Sequence, residues 1–548
     1  MTNLPDTSSS RWIGGGSIIL TASANQGDHP NQFQSQDGDI SPSDTLPDII
    51  RIPFEEAVQG MKLDGWEDEW FSSGRFDARN NGPLAEPKID FIYNWVNGTE
   101  NAFKDIRHQY ELVSPLNDAA GKWISQHSIN RYRDWGELRY SLRSVDLYAN
   151  GFINKIQILV NSVGYNSSST ATIPQRPTWL RDDDPTNDDI QILSQEMFFH
   201  GQEKRCLPTF NSLSIESQIH NTPSSTDQFI ALSDDMFLGM PHAPSDFYSP
   251  LFGSMMGFKA DHYNVKNLGS KDSWPSFGEK PFVYYTSYLL NRRFGMRDRH
   301  VQAHFSHSVS RAVMKEAMAS FPRPSSKAAC ERFRGESHFQ IYPWFASFHY
   351  SIERFREALL WSFIMVRSDI NQDGYLDWTE RELIIRAIDE GRKKFPFQDA
   401  STPATQSSLR DRIYYQVPEI LKKAGLQPPK VNIDIQWTSL DGPATIRNIK
   451  CNSLSIDKCF ANSFASPLSD TVNRNSDFTA SNVFSSLSHQ HPDCGDCLLK
   501  FLLASTPRGL EPLLPPKSKP HDREVIVKAL KKYQHTIIGT DTMKFVSK

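Results

Sequence analysis

The chain has 548 residues, with 59 Lys plus Arg against 64 Asp plus Glu, a formal net charge of −5 and 38% hydrophobic residues. That length exceeds one ordinary core and calls for a large domain with appended or inserted units. Basic residues scattered through a slightly acidic chain exclude a nucleic-acid footprint, and no apolar run reaches the about 20 residues that a membrane-spanning helix needs.

The first fifty or so residues, rich in Ser, Asp, Gln, Gly and Pro, read as disordered. Their one apolar run, Trp12 to Ala22 behind Arg11, is interrupted by Gly14, Gly15 and Gly16 and makes a poor signal-peptide core. The expected organisation is a disordered or poorly structured segment over 1–85, a catalytic α/β domain over 86–350, a helix-loop-helix unit over 351–395, and a C-terminal region over 396–548. That last region holds mobile linkers, a cysteine-containing segment and a terminal helix.

Ile89 to Val96 reads as a buried strand running into the Asn97-Gly98 turn. Asp134-Trp-Gly-Glu137 resembles a capping box, and Leu138, Leu142, Val145 and Ala149 then share one helical face up to the stop at Gly151. Lys155–Val160, Ile190–Leu193 and Gln228–Leu232 are further strands. Strands alternating with helices indicate an α/β fold with a mainly parallel sheet. Val309, Val313, Ala317 and Phe321 place a helix over 308–321. Two more helices are expected over 351–366 and 379–390, with Ser/Thr/Pro-rich mobile linkers around 399–408 and 463–488.

The strand ending at Leu232 stops at paired carboxylates, Asp234 and Asp235, a layout that presents both at the carboxyl end of a sheet strand. Adjacent acids repel, so holding both ionised favours a hard cation, Mg²⁺ or Mn²⁺, of the kind that bridges phosphate oxygens. The blander alternative is a helix N-cap pair. Arg131, Arg133, Arg139 and Arg143 are either phosphate ligands or the solvated face of their helix.

Asp369-Ile-Asn-Gln-Asp-Gly-Tyr-Leu-Asp-Trp-Thr-Glu380 has the ligand spacing of an EF-hand Ca²⁺ loop. Asp369, Asn371, Asp373, Asp377 and Glu380 supply side chains, Tyr375 a carbonyl, and Gly374 the turn. The six cysteines, Cys206, Cys330, Cys451, Cys459, Cys494 and Cys497, suit disulfides of undetermined pairing, with zinc at the last four as the second reading. Sequons at Asn97 and Asn166 lean, with the cysteines, toward the secretory pathway.

Ile89–Thr99, Arg131–Ser144 continuing through Leu207–Phe210, Ile215–His220 and Ser233–Asp235, and Ala303–His307 with Arg332-Phe-Arg334 resemble three blocks of the Stealth family. That family includes the alpha/beta subunit of N-acetylglucosamine-1-phosphotransferase, and its animal members carry an EF-hand after the third block. The chain departs from the pattern at Ser306, where the family has Pro, and at Ser233, where it has Asn; a fourth block is not placed. The resemblance implies a Rossmann-like, GT-A-like sheet flanked by helices, with an inserted EF-hand unit. It also implies a fungal-type enzyme that moves a sugar 1-phosphate from a UDP-sugar to a glycan or glycoprotein hydroxyl in the Golgi lumen, releasing UMP, with a homodimer as an option. The membrane anchor is not visible in this chain.

In that reading Asp234 and Asp235 hold the catalytic cation, and Arg334 with Arg143 or Arg133 stabilises phosphoryl charge. His304, or else His307, is the general base. Asn94 and Asn97 contact the nucleotide or sugar, Glu137 and Arg332 are further substrate-binding residues, and Glu216 and His220 line the acceptor side. A glycan on Asn97 would exclude its substrate role. The rival readings are a glycosyltransferase that releases UDP, and a calcium-binding protein on a degenerate transferase fold.

Overall fold

The computed structural model describes residues 46–117, 121–127, 132–164, 172–181, 190–270, 274–275, 278–394, 410–443, 451, 455–467 and 474–539. The Trp12–Ala22 run, Arg131, the Asn166 sequon and the 399–408 linker lie outside them. The described strands are β1 (Ile89–Asn94), β2 (Ile153–Val160), β3 (Ser162–Gly164), β4 (Thr172–Pro174), β5 (Ile190–Ser194), β6 (Gln228–Ser233), β7 (Tyr248–Ser249), β8 (Gly253–Tyr263), β9 (Arg299–Gln302), β10 (His307–Ser310), β11 (Ile435–Thr438) and β12 (His535–Ile538).

One sheet runs β10-β6-β1-β2-β5. Its β6-β1-β2-β5 part is parallel, and β10 lies antiparallel on the β6 edge. Both faces are covered, which is why the strands read as nearly unbroken apolar runs. Phe91, Tyr93, Ile158, Ile230 and Leu232 face a small core built with Leu138, Leu142, Val145 and Ala149 of the helix Glu137–Ala149. Ile92, Leu159, Phe229 and Ala231 face the large core. Each fully buried Leu or Val on that helix contributes roughly 1.5–3 kcal/mol, so its 3.6-residue pattern fixes how it sits on the sheet.

From β1 the chain steps outward through β2 to β5, then returns to the other side of β1 as β6. In an open parallel sheet such a reversal leaves a crevice at the carboxyl ends of the two strands that flank it. Those ends are Asn94 and Ser233, which pair in register.

Several expectations change. The 308–321 helix is two elements: Ser308–Ser310 belong to β10, and Ser310 then caps a helix over Arg311–Ser320 by accepting from the Val313 N–H. The segment expected to be poorly structured to residue 85 holds helices from Phe54 onward, with Trp70 and Phe71 fully buried. The C-terminal region is no appendage. Its β12 lies parallel to β8 in a second sheet, β11-β12-β8-β7, with β9 on β8. The approach is so close that a Cβ on Gly253 would stand 1.9 Å from the Gln534 carbonyl oxygen.

Within the linker expected over 463–488, helices span Ser476–Phe478 and Ala480–Ser485, with Phe478, Val483 and Leu487 buried. The cysteines form Cys206–Cys330, Cys451–Cys497 and Cys459–Cys494, which removes the zinc alternative.

The helix leading to the calcium-type loop begins at Pro343, earlier than the expected residue 351, and is buried along its whole length to Trp361. Its charges are paired: Glu357 with Arg293 and Arg354, Glu353 with Arg297 and Arg299, and Arg356 with Asp496. This helix is a central strut of the large core. Among the described residues no helix is long and apolar enough to cross a membrane.

Candidate functional site: an acidic cluster at the sheet crevice

β6 ends at Ser233 and turns at once through Asp234 and Asp235, with the Met236 N–H donating to the Ser233 carbonyl. No helix starts there, so the N-cap reading of the two aspartates falls. The turn is tied to the helix Glu137–Ala149 by Ser141 Oγ donating to the Met236 carbonyl and the Leu238 N–H donating to Ser144 Oγ at 3.0 Å. This fastening brings Glu137 and Asp134 toward the aspartates. Burial foremost, then the charges of Asp235, Glu137 and Asp134, push the Asp234 carboxyl up to about 7. Asp235 is exposed.

The capping-box expectation needs correction. The Gly136 N–H donates to Asp134 Oδ1, and Glu137, already the first helical residue, accepts from the Trp135 N–H through Oε2 at 2.6 Å. The N-cap is Gly136 itself. Gly151 does not stop the helix directly, because a 3₁₀ turn over Asn150–Phe152 intervenes. Arg133 lies over the Trp135 ring and Arg143 over the Tyr140 ring, and both are exposed.

The other wall is set by β10. Its antiparallel pairing puts His307 opposite Ala231, so the chain upstream of His307 reaches the same end of the sheet as the aspartates. His304 sits on that upstream stretch, exposed, and the neighbouring Ala303 N–H donates to the Gly257 carbonyl. His307 is buried, with its ring 5.0 Å from that of Trp344 and its Nδ1 without a hydrogen-bond partner among the described residues. Burial, with His304 and Lys259 nearby, lowers it to about 3. His307 is therefore neutral at physiological pH.

Beside it lies a group that the sequence motifs only half disclosed. Arg334 donates to Ser212 Oγ and to Glu279 at 3.4 Å, and Glu279 accepts from the Tyr342 hydroxyl at 2.7 Å. Glu216, largely buried, is raised to about 8, by burial above all; the Arg334 charge and a Trp344 hydrogen bond oppose the rise and the Glu279 charge adds to it. Glu279, Ser212 and the neighbours Tyr342 and Trp344 come from the starts of three separate helices, and no short motif marks them.

Three expected residues stand apart. His220 is not on the acceptor side. It is half-buried near Lys315 and Arg311, and Arg311 binds Asp90 and the Thr226 carbonyl at the amino ends of the strands. Arg332 donates to the Pro208 carbonyl at 2.6 Å and covers the Tyr110 ring, clamping the segment that Cys206–Cys330 also fixes. Asn97 accepts from the Thr99 hydroxyl and N–H. Next to it, a Cβ on Gly98 would stand 1.9 Å from the Tyr132 carbonyl oxygen, so the turn after β1 is packed under the start of the 132–149 segment.

Among the described residues no three His, Cys, Asp or Glu side chains converge on one point as a ready-made metal cage. A cation at Asp234 and Asp235 would draw its remaining ligands from phosphate and water. The fit is one of charge: Asp235, Glu137 and Asp134 all lie close enough to Asp234 to raise its carboxyl, a concentration of negative charge that a cation would relieve.

In the 369–380 loop, Gly374 takes φ 77° and its N–H donates to Asp369 Oδ2 at 3.0 Å. Asp369 is 5% exposed, and its Oδ1 has no hydrogen-bond partner among the described residues. The Asp373 and Tyr375 N–H groups donate to Asn371 and Asp373 side chains, so these oxygens turn toward the loop's own backbone. Asp377 and Glu380 form a reciprocal capping box at the start of the helix Trp378–Lys394.

Residues 131–255 match the family described as Stealth protein CR2, conserved region 2. Over those residues the chain is similar to the Stealth family. Over 338 residues it is 30% identical to a 3-O-alpha-D-mannopyranosyl-alpha-D-mannopyranose xylosylphosphotransferase of Cryptococcus neoformans var. grubii, covering 58% of this chain and 37% of the relative. It is 30% identical over 248 residues to an exopolysaccharide phosphotransferase of Streptomyces coelicolor, covering 45% of this chain and 40% of that one. It is 29% identical over 162 residues to a capsular polysaccharide phosphotransferase of Streptococcus pneumoniae, covering 30% and 42% respectively. The chain thus spans less than half the length of each of these curated relatives. The matched region 131–255 contains the acidic cluster and Glu216.

Proposed function

We propose that this chain is a Stealth-type enzyme that transfers a sugar 1-phosphate from a UDP-sugar to a hydroxyl of a glycan and releases UMP. The observation that carries the reading is the meeting of Asp234, Asp235, Glu137 and Asp134 at the crevice between β1 and β6, with β10 leading His304 to the same end. The relatives' names, all phosphotransferases and each naming or implying a saccharide, support the reaction class.

In the proposed step, the acceptor hydroxyl oxygen bonds to the phosphorus next to the sugar, and the bond from that phosphorus to the oxygen bridging to UMP breaks. The hydroxyl proton passes to His304, exposed and able to reach solvent afterwards. His307, buried and neutral, is the second choice and serves better as packing beneath it. Arg334 faces the transferred phosphoryl, and Arg133 and Arg143 attract the diphosphate. Asn94, at the end of β1, borders the nucleotide or sugar. Mg²⁺ or Mn²⁺ held by Asp234 and Asp235 would neutralise diphosphate charge.

Loop 369–380 is read as a Ca²⁺ site with a structural role, supported by the unpartnered, buried Asp369 Oδ1. Three disulfides support an oxidising compartment, in this reading the Golgi lumen.

The test is a screen of UDP-sugars with mannose-containing acceptors, reading the released nucleotide. UMP is expected. Release of UDP would make the chain a glycosyltransferase, and glycan binding without nucleotide release that survives Asp235→Ala but not Glu380→Ala would make it a calcium-dependent binder.

A further inference from the structure

We propose that the segment Arg474–Ala480 is the second half of the calcium site, standing where a paired EF-hand would place its partner loop and setting how tightly 369–380 holds its ion. The inference rests on the calcium reading above.

A single EF-hand loop is short of support, because its ligands must be held close together against their own repulsion. Here the missing support comes from more than ninety residues downstream. Tyr375 and Thr479 form an antiparallel bridge. The Leu376 N–H donates to the Phe478 carbonyl at 2.9 Å, and the Ala480 N–H donates to the Gly374 carbonyl at 3.0 Å. These two bonds fix the loop backbone on both sides of Tyr375, the residue whose carbonyl is the expected ligand.

Arg381, fully buried, ties the same segments from beneath, donating to the Leu376, Phe464 and Ser466 carbonyls and lying 4.2 Å from the Phe478 ring centroid. Cys459–Cys494 and Cys451–Cys497 then fasten the flanks of the segment to the helix Pro492–Leu503. That helix packs along the exiting helix Trp378–Lys394, where a Cβ on Gly391 would stand 2.3 Å from the Phe501 carbonyl oxygen.

The segment also brings a charge. Arg474 donates to Asp373 at 2.7 Å and lies over the Tyr375 ring at 4.7 Å. Asp373 is the fifth position of the loop, so the guanidinium occupies a carboxylate that the ion would need. The segment therefore acts in two opposed ways: its backbone shapes the loop for calcium, and its Arg474 competes with calcium.

Two substitutions separate these roles. Ala480→Pro deletes the N–H that reaches Gly374. Proline is tolerated there, because Ala480 is the first residue of its helix and Thr479, at φ −61° and ψ 140°, already has the conformation favoured before proline. Arg474→Gln frees Asp373.

Calorimetric titration of the full chain with Ca²⁺, alongside melting of each variant without calcium as a folding check, reads both. One ion should bind the parent chain; Ala480→Pro should weaken it roughly three- to tenfold, the loss of one backbone hydrogen bond, and Arg474→Gln should tighten it by about two- to fivefold, the size of a surface ion pair. A parent chain that binds no calcium sinks the calcium reading and this inference with it. A parent that binds while both variants keep its affinity, or shift in the same direction, overturns this inference alone.

Discussion

Glu216→Gln should leave turnover at pH 7 nearly unchanged and abolish a fall in activity above pH 8. Glu216 is raised from 4.5 to about 8, first by burial. Ionising the carboxyl in place therefore costs about 5 kcal/mol more than in water. At pH 7 roughly nine in ten copies then carry a proton, and the neutral acid leaves the Arg334 charge available to a phosphoryl group. As pH rises through about 8 the carboxylate forms beside Arg334 and cancels part of that charge. The expected profile for kcat/KM on the donor is flat to about pH 8 and then falls up to tenfold per pH unit, while the Gln variant, a permanent stand-in for the protonated acid, stays flat to the limit of stability. The assay is nucleotide release across pH 6 to about 9.5 with donor below KM. An alkaline fall that persists in Glu216→Gln refutes the reasoning, as does a loss of 100-fold or more at pH 7, which would mean that the ionised form is the working one.

His304→Ala should lower kcat by about 10²–10⁴, the usual worth of a general base, while donor affinity measured by calorimetry is kept; near-normal turnover would return the role to His307. The fold should lose stability as pH falls below about 6.5. His307 and His349 are lowered to about 3, and His220, His489 and His535 to about 4, each by burial first, so between those values and 6.5 the unfolded chain binds more protons than the folded one. Chemical denaturation at pH 7 and pH 5 checks this, and equal midpoints would contradict it. Calcium should raise the melting temperature of the parent chain and leave that of Glu380→Ala unmoved.

The four parallel strands, the helix over 137–149 and the aspartate turn were legible because burial on both sheet faces and a 3.6-residue stripe leave local signals. β10 was not: Ser308 and Val309 fit a helical stripe equally well, and only pairing with β6 decides against it. The full burial of the helix from Pro343 was not legible, because Glu353, Arg354, Arg356 and Glu357 are charged. Its partners Arg293 and Asp496 lie 64 and 140 residues away, so its burial had no local trace. The β8–β12 pairing joins segments as distant as Gly253 and Gln534. In the site, Asp234, Asp235 and Arg334 stood in motifs, whereas Glu279 and Tyr342 gain their meaning only from contact with Arg334 and one another. His220 misled because it follows Glu216 by four residues, yet the helix ends at Gln218 and carries it to the opposite end of the sheet.

Phosphorus NMR of the glycan formed from a UDP-sugar tests the central claim most directly. The account predicts a phosphodiester joining the sugar's anomeric oxygen to the acceptor, with the donor's sugar-proximal phosphorus retained in the product and UMP in solution. A phosphate-free glycoside alongside UDP would contradict it.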